Sequence, residues 1–99
     1  MNIEYTFQDI VFEWDSHKAI ANLHKHGIAF TLACEAFFDP FLYLADGQDA
    51  DNEPRETIIG ETQRHRMLCV VYTIRTDDRF RLISARPTTP AERLLYESQ

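Results

Sequence analysis

The side chains best suited to chemistry in this chain are arginines gathered toward its C-terminal end. The stretch Arg81-Leu82-Ile83-Ser84-Ala85-Arg86-Pro87-Thr88-Thr89-Pro90-Ala91-Glu92-Arg93 holds three of them in thirteen residues, in a chain of net charge −6. A guanidinium carries a planar fork of donors that fits a phosphate group. Arg55, Arg75 and Arg79 extend the set, and Lys25 and His26 add a cation and a titratable imidazole. Such residues suit metal-free cleavage of RNA, in which the 2′-hydroxyl attacks its own phosphate. Arg and Lys would stabilise the charge that gathers on the phosphoryl oxygens, and His, or a perturbed Lys or Glu, would move protons. The competing reading pairs the arginines with Glu53, Glu56, Asp77, Asp78 and Glu92 as surface salt bridges worth about 0–1 kcal/mol each.

Other chemistries find less support. The chain has three glycines, no Gly-rich phosphate loop and no Cys-x-x-Cys. On a helix the two imidazoles of His24-Lys25-His26 point about 200° apart, and His17 with His24 lacks a third ligand. The segment from Asp46 to Glu53 holds four acidic residues but not the order of a calcium loop, so it reads as a solvated turn. No metal or cofactor is expected. Cys34 and Cys69 lie in apolar runs and read as buried thiols of a reducing compartment.

Charge is unevenly spread. Residues 1–54 carry two lysines against ten acidic residues, and residues 55–99 carry eight arginines against six. Global acidity argues against a non-specific nucleic-acid binder but permits a local arginine site, and it leaves acidic surface for a basic partner. A helix-turn-helix pattern is missing, which disfavours a plain DNA-binding regulator. There is no run of 18 apolar residues and no basic-then-apolar N-terminus, so neither a membrane span nor a signal peptide is expected, and the chain reads as cytoplasmic.

The elements that must position these residues follow from periodicity and caps. Ninety-nine residues fit one domain, residues 1–99. Tyr5 to Trp14 reads as a short strand or extended arm, with Ile10, Phe12 and Trp14 on one side. Asp15 or Ser16 caps a helix that runs to His26 and stops at Gly27. Lys18, Asn22 and Lys25 then share a polar face, either solvated or touching phosphate. Thr31 reads as the cap of a second helix that ends at Asp39-Pro40. Strands follow at 41–44, 55–60, 66–75 and 80–86, with a hairpin at Thr76–Arg79. Thr89, Pro90 and Glu92 form a capping box for a C-terminal helix, which Leu94, Leu95 and Tyr96 would pack onto the sheet. Trp14 reads as core. The fold class is α+β, with two N-terminal helices, a four-stranded, mostly antiparallel sheet and a C-terminal helix. Strict alternation puts Arg81 and Arg86 on opposite faces of their strand, so they would not serve one phosphate unless the strand bulges.

These residues resemble a known family. Phe12-Glu13-Trp14-Asp15, Lys18-Ala19, Asn22-Leu23, Lys25-His26-Gly27 and Phe30 look like the opening signature of the BrnT toxins. Glu53-x-Arg55 with Ile59-Gly60 resembles the middle. Val71-Tyr72-Thr73-x-Arg75, Arg81-x-Ile83-Ser84-Ala85-Arg86 and Glu92-Arg93-x-x-Tyr96 resemble the end. Pro87 departs from the pattern, standing where such proteins often carry a basic residue. The resemblance implies a RelE-like fold and a ribonuclease toxin of a type II toxin–antitoxin system that stops translation. It also implies a BrnA-type antitoxin partner, through which alone operator DNA would be met. Carried over by position, it implies Lys25, His26, Arg55, Arg75, Arg81 and Arg86 as functional residues. A rival reading is an inactive module kept for complex formation and autoregulation.

Overall fold

The computed structural model describes residues 1–45 and 53–99 of the chain. The acidic turn read at Asp46 to Glu53 therefore lies, up to residue 52, outside the described residues. The chain order is β1 (Asn2–Phe7), β2 (Ile10–Asp15), α1 (Ser16–His26), α2 (Phe30–Ala33) running on as a 3-10 turn (Cys34–Phe38), β3 (Tyr43–Ala45), β4 (Glu56–Glu61), β5 (Met67–Ile74), β6 (Phe80–Pro87) and α3 (Pro90–Glu97). All six strands join one sheet in the order β1-β2-β6-β5-β4-β3. The α+β class and three helices agree with expectation. The expected four-stranded sheet and RelE-like arrangement differ in detail from the six-stranded mixed sheet found.

Two corrections enlarge the sheet. The segment read as a short strand or extended arm over Tyr5 to Trp14 is a hairpin, folded at Gln8 and Asp9, whose φ values are 49° and 69°. Two successive positive φ values mark the tight turn that matches strand twist. Gln-Asp is not one of the usual glycine-bearing pairs for it, so no turn signal marks the position. β2 then pairs parallel with β6, matching Phe12 to Phe80 and Glu13 to Arg81. The sheet is mixed because this pairing joins distant parts of the chain, which hairpin-length links cannot foretell.

α1 forms as its caps dictate. The Asp15 carboxylate accepts from the Lys18 N–H at 3.1 Å, and Gly27 takes φ 71° where its N–H reaches the Leu23 carbonyl. α2 starts earlier than expected: Ala29 is the cap residue, without a side-chain bond, and Thr31 is exposed within the helix. Phe30, 2% exposed, is drawn into the core and takes the helix start with it. The core joins Phe12, Trp14, Phe30, Ala33, Ile58, Leu68, Val70, Tyr72, Leu82 and Ala85 beneath α1 and α2. Trp14 is core, its ring centroid 5.7 Å from Phe30 and 5.8 Å from Tyr5. The 3-10 turn lies so close to β4 that a Cβ at Gly60 would sit 2.4 Å from the Ala36 carbonyl oxygen.

A bulge in β6 sets the face on which Arg86 stands. Val71 pairs with Ser84 and Tyr72 with Leu82, which leaves Ile83 as an extra residue. Leu82 and Ala85 lie three apart, yet both are buried on the helical side, at 2% and 0% exposure. Alternation alone cannot bury both, and one inserted residue resolves the conflict. Arg81 then pairs with Thr73 and Arg86 with Cys69, so both arginines share the face opposite α1 and α2. The expectation of opposite faces is corrected by this register shift.

α3 lies on that second face, against β4. Its capping box is as expected: the Thr89 hydroxyl accepts from the Glu92 N–H at 3.2 Å and the Glu92 carboxylate accepts from the Thr89 N–H at 2.9 Å. However, Leu94 and Leu95 do not pack it down, being 63% and 47% exposed. Polar contacts fasten it instead: Arg86 with Glu92, the Tyr96 hydroxyl to Asp39 at 2.6 Å, and the Gln99 amide to the Phe41 carbonyl at 2.6 Å.

Candidate functional site

The second face of the sheet carries a row of polar residues fixed by register. Glu4 stands opposite Glu13, Glu13 beside Arg81, and Arg81 opposite Thr73. Arg55 approaches from the residue before β4. There the Thr73 hydroxyl donates to the Pro54 carbonyl at 2.8 Å and ties that segment to β5. The Nε of Arg55 is buried without a hydrogen-bond partner among the described residues. Such a donor costs about 1–3 kcal/mol of desolvation unless a ligand or water meets it. Val71 and Ser84 form the next row and are half-buried.

Each arginine along the hairpin meets a carboxylate. Arg75 Nη1 donates to Glu53 at 3.1 Å, with both side chains well exposed. Arg79 binds Glu4, lies 3.1 Å from Asp77 and is 3.7 Å from Glu13. The bond to Glu4 leads in raising its guanidinium above the usual range. Arg81 Nη1 donates to Glu13 at 2.7 Å and to the Asn2 side-chain oxygen at 2.9 Å. Its Nε and Nη2 make no hydrogen bond among the described residues. Arg86 is bound at both ends of its fork, with Nη1 and Nη2 each 2.7 Å from a Glu92 oxygen. The Arg86 fork, more than the capping bond, pulls the Glu92 carboxyl down to about 2. The salt-bridge reading thus holds for Arg75 with Glu53, Arg79 with Asp77 and Arg86 with Glu92, while the partner of Arg81 is one that spacing did not suggest.

Lys25 and His26 lie in the last turn of α1, in the helical layer, where the helix dipole favours positive charge. Lys25 is exposed and His26 half-buried, and no hydrogen bond or ion pair among the described residues joins either to an arginine. Asn22, expected on a polar face with Lys18 and Lys25, is buried at 7% exposure. Its amide nitrogen donates to the carbonyls of Ala85 at 2.8 Å and Ile28 at 3.0 Å, and its oxygen accepts from the Ala85 N–H at 3.1 Å. β2 ends before this level, so the Asn22 amide supplies the bonds that a continuing strand would have made, as buried main-chain groups require. The residues that sequence reasoning missed are Asn2, Glu13 and Asn22. A lone Glu between Phe12 and Trp14, in a run that alternates toward a core, was the available signal for Glu13. Both cysteines are buried thiols, and burial pushes Cys34 up to about 12 and Cys69 up to about 11.

Comparison with known proteins fits this architecture. No curated protein matches the chain. The crystal structure of the Brucella abortus ribonuclease toxin BrnT is similar at a TM-score of 0.62 and 27% sequence identity, over 77% of this chain and 92% of that one. A family model described as the ribonuclease toxin BrnT of type II toxin–antitoxin systems matches residues 14–92. With so much of its length matched, the chain belongs to the BrnT family of ribonuclease toxins.

Proposed function

We propose that this chain is a metal-independent endoribonuclease that inhibits translation, and that the second face of its sheet holds the scissile phosphate. The observation that carries the reading is the strand pairing that puts Arg81 beside Thr73 on the face opposite α1 and α2, with Nε and Nη2 making no hydrogen bond among the described residues. In the reaction, O2′ bonds to phosphorus as the bond from phosphorus to O5′ breaks. The 2′ proton passes to a general base and the leaving oxygen takes a proton from a general acid. Arg81 holds the phosphoryl oxygens, with Arg55 and Arg75 flanking it, and the charge they neutralise is the charge that grows in the transition state. Arg86 stands on the same face and could join them only by giving up Glu92. Lys25 and His26 stand in the helical layer on the other face of the sheet, so the geometry gives them no part in proton transfer at this phosphate. A BrnA-type antitoxin neutralises the toxin by forming a complex.

A second reading, an inactive module for complex formation, is favoured by the carboxylate partners of Arg75, Arg79, Arg81 and Arg86. One experiment separates the two. Purified protein is incubated with naked RNA and a chelator, beside the Arg81→Ala variant. Cleavage by the wild type that falls about 10²–10³-fold in the variant supports the nuclease. RNA left intact by a folded wild type that still binds its antitoxin supports the module.

A further inference from the structure

We infer that Glu13 and Asn2 are positioning residues for Arg81, holding its Nη1 corner so that the edge formed by Nε and Nη2 presents a two-donor fork to one RNA phosphate. The inference rests on the ribonuclease reading and deepens it, because it names which edge of the guanidinium acts and what aims it.

The geometry is specific. Nη1 has two hydrogens and two acceptors, Glu13 Oε2 at 2.7 Å and Asn2 Oδ1 at 2.9 Å. A guanidinium is planar, so fixing both hydrogens at one corner fixes the plane and its rotation. The remaining edge carries two parallel donors at the spacing of phosphate oxygens. Glu13 cannot drift. It is 8% exposed, anchored in β2 beside Arg81 by the parallel register, and its second oxygen faces Arg79 Nη1 at 3.7 Å. Arg79 is itself held by Glu4 and Asp77. Asn2 reaches in from the edge strand β1, whose pairing to β2 is complete from Asn2 to Phe7. A surface pair such as Arg75 with Glu53, at 48% and 39% exposure, lacks this support. A carboxylate meant only to neutralise Arg81 would gain by occupying the fork, as Glu92 does on Arg86. Glu13 takes the corner and leaves the fork open.

The test is single-turnover cleavage of naked RNA by the full chain, with rate and apparent KM separated. Glu13→Ala should slow the chemical step about 10²-fold while KM stays within about threefold, because the charge of Arg81 persists but its aim is lost. Glu13→Gln keeps an acceptor oxygen at the same reach and should restore most of the rate. Arg81→Lys, a charge without a fork, should fall as far as Arg81→Ala. Should Glu13→Ala fail to fold, Asn2→Ala on the exposed edge strand decides, with a loss of about 3–10-fold in rate at unchanged KM. Wild-type rates in folded Glu13→Ala or Asn2→Ala, or a change confined to KM, overturn the inference. Failure of the underlying reading shows differently: folded wild type leaves the RNA intact, or Arg81→Ala cleaves as fast as wild type, and either result removes this inference with it.

Discussion

The two ends of β6 put the same side chain on the same face and use it differently. At one end Arg81 is held by a single corner, through Asn2 and Glu13, and its remaining donors make no hydrogen bond among the described residues. At the other end Arg86 gives both nitrogens of its fork to Glu92, which sits on α3. The first arrangement leaves capacity for a ligand. The second is complete, and its effect is to fasten a helix that has no buried residue of its own. Residue type and even sheet face do not distinguish a ligand-binding arginine from a structural one. The donors left after the protein's own acceptors are satisfied do.

This contrast can be broken or sharpened, beginning with the largest effect. Arg81→Ala should lower kcat/KM for RNA cleavage about 10²–10³-fold, equivalent to about 3–4 kcal/mol. Arg86→Ala should stay within about tenfold in activity and lose stability instead. Equal losses of activity from the two variants, measured on the same RNA, would erase the distinction. Next comes Asn22→Ala, which strips both main-chain groups of Ala85 of their partner beside Arg86. It should destabilise the fold by about 2–4 kcal/mol in urea denaturation, as expected when buried groups lose their bonds.

A smaller effect belongs to α3. Glu92→Ala should cost about 1–2 kcal/mol and loosen the helix, since a charge-assisted pair and a cap are lost together. The pH dependence has a definite sign. The Glu92 carboxyl is held at about 2, below the ordinary glutamate value of 4.5, so the contribution is fully present above pH 4.5 and is lost as pH falls toward 2. Asp39 adds to the same acid loss: burial raises its pKa, but bonds from the Tyr96 hydroxyl and the Phe41 and Glu61 N–H groups outweigh that and leave it lowered. Circular dichroism through this range should show helix loss in wild type, and a flatter profile in Glu92→Gln would assign it. The smallest effect is Arg75→Ala, whose exposed pair with Glu53 is worth about 0–1 kcal/mol. A large stability loss there would mean that surface and sheet arginines are less different than their exposure indicates.

How much of this was legible depended on range. Asp15, Gly27, Thr89 and Glu92 announced the ends of α1 and the start of α3, because caps act within a few residues of where they stand. The arginine set, the α+β class and the family were legible too. The hairpin at Gln8-Asp9 was not, since those two residues carry no strong turn preference. Nor was the neighbour of Arg81, because the pairing of β2 with β6 joins Glu13 to a residue 68 positions away. Asn22 was assigned to a polar helix face by periodicity, and the buried edge of β6 claimed it.

By itself, then, the sequence determined where the helices begin and end, which residues are cationic, and the family to which the chain belongs. These depend on short-range bonds and on residue identity. Tertiary structure decided which face each arginine occupies and which of its donors remain open. Leu82 and Ala85 both had to reach the core, the strand bulged at Ile83 to allow it, and Arg86 turned onto the face of Arg81 as a result. The partners that then met the two guanidiniums, Glu13 and Asn2 at one and Glu92 at the other, were set by strand pairing and helix docking, which no local pattern specifies.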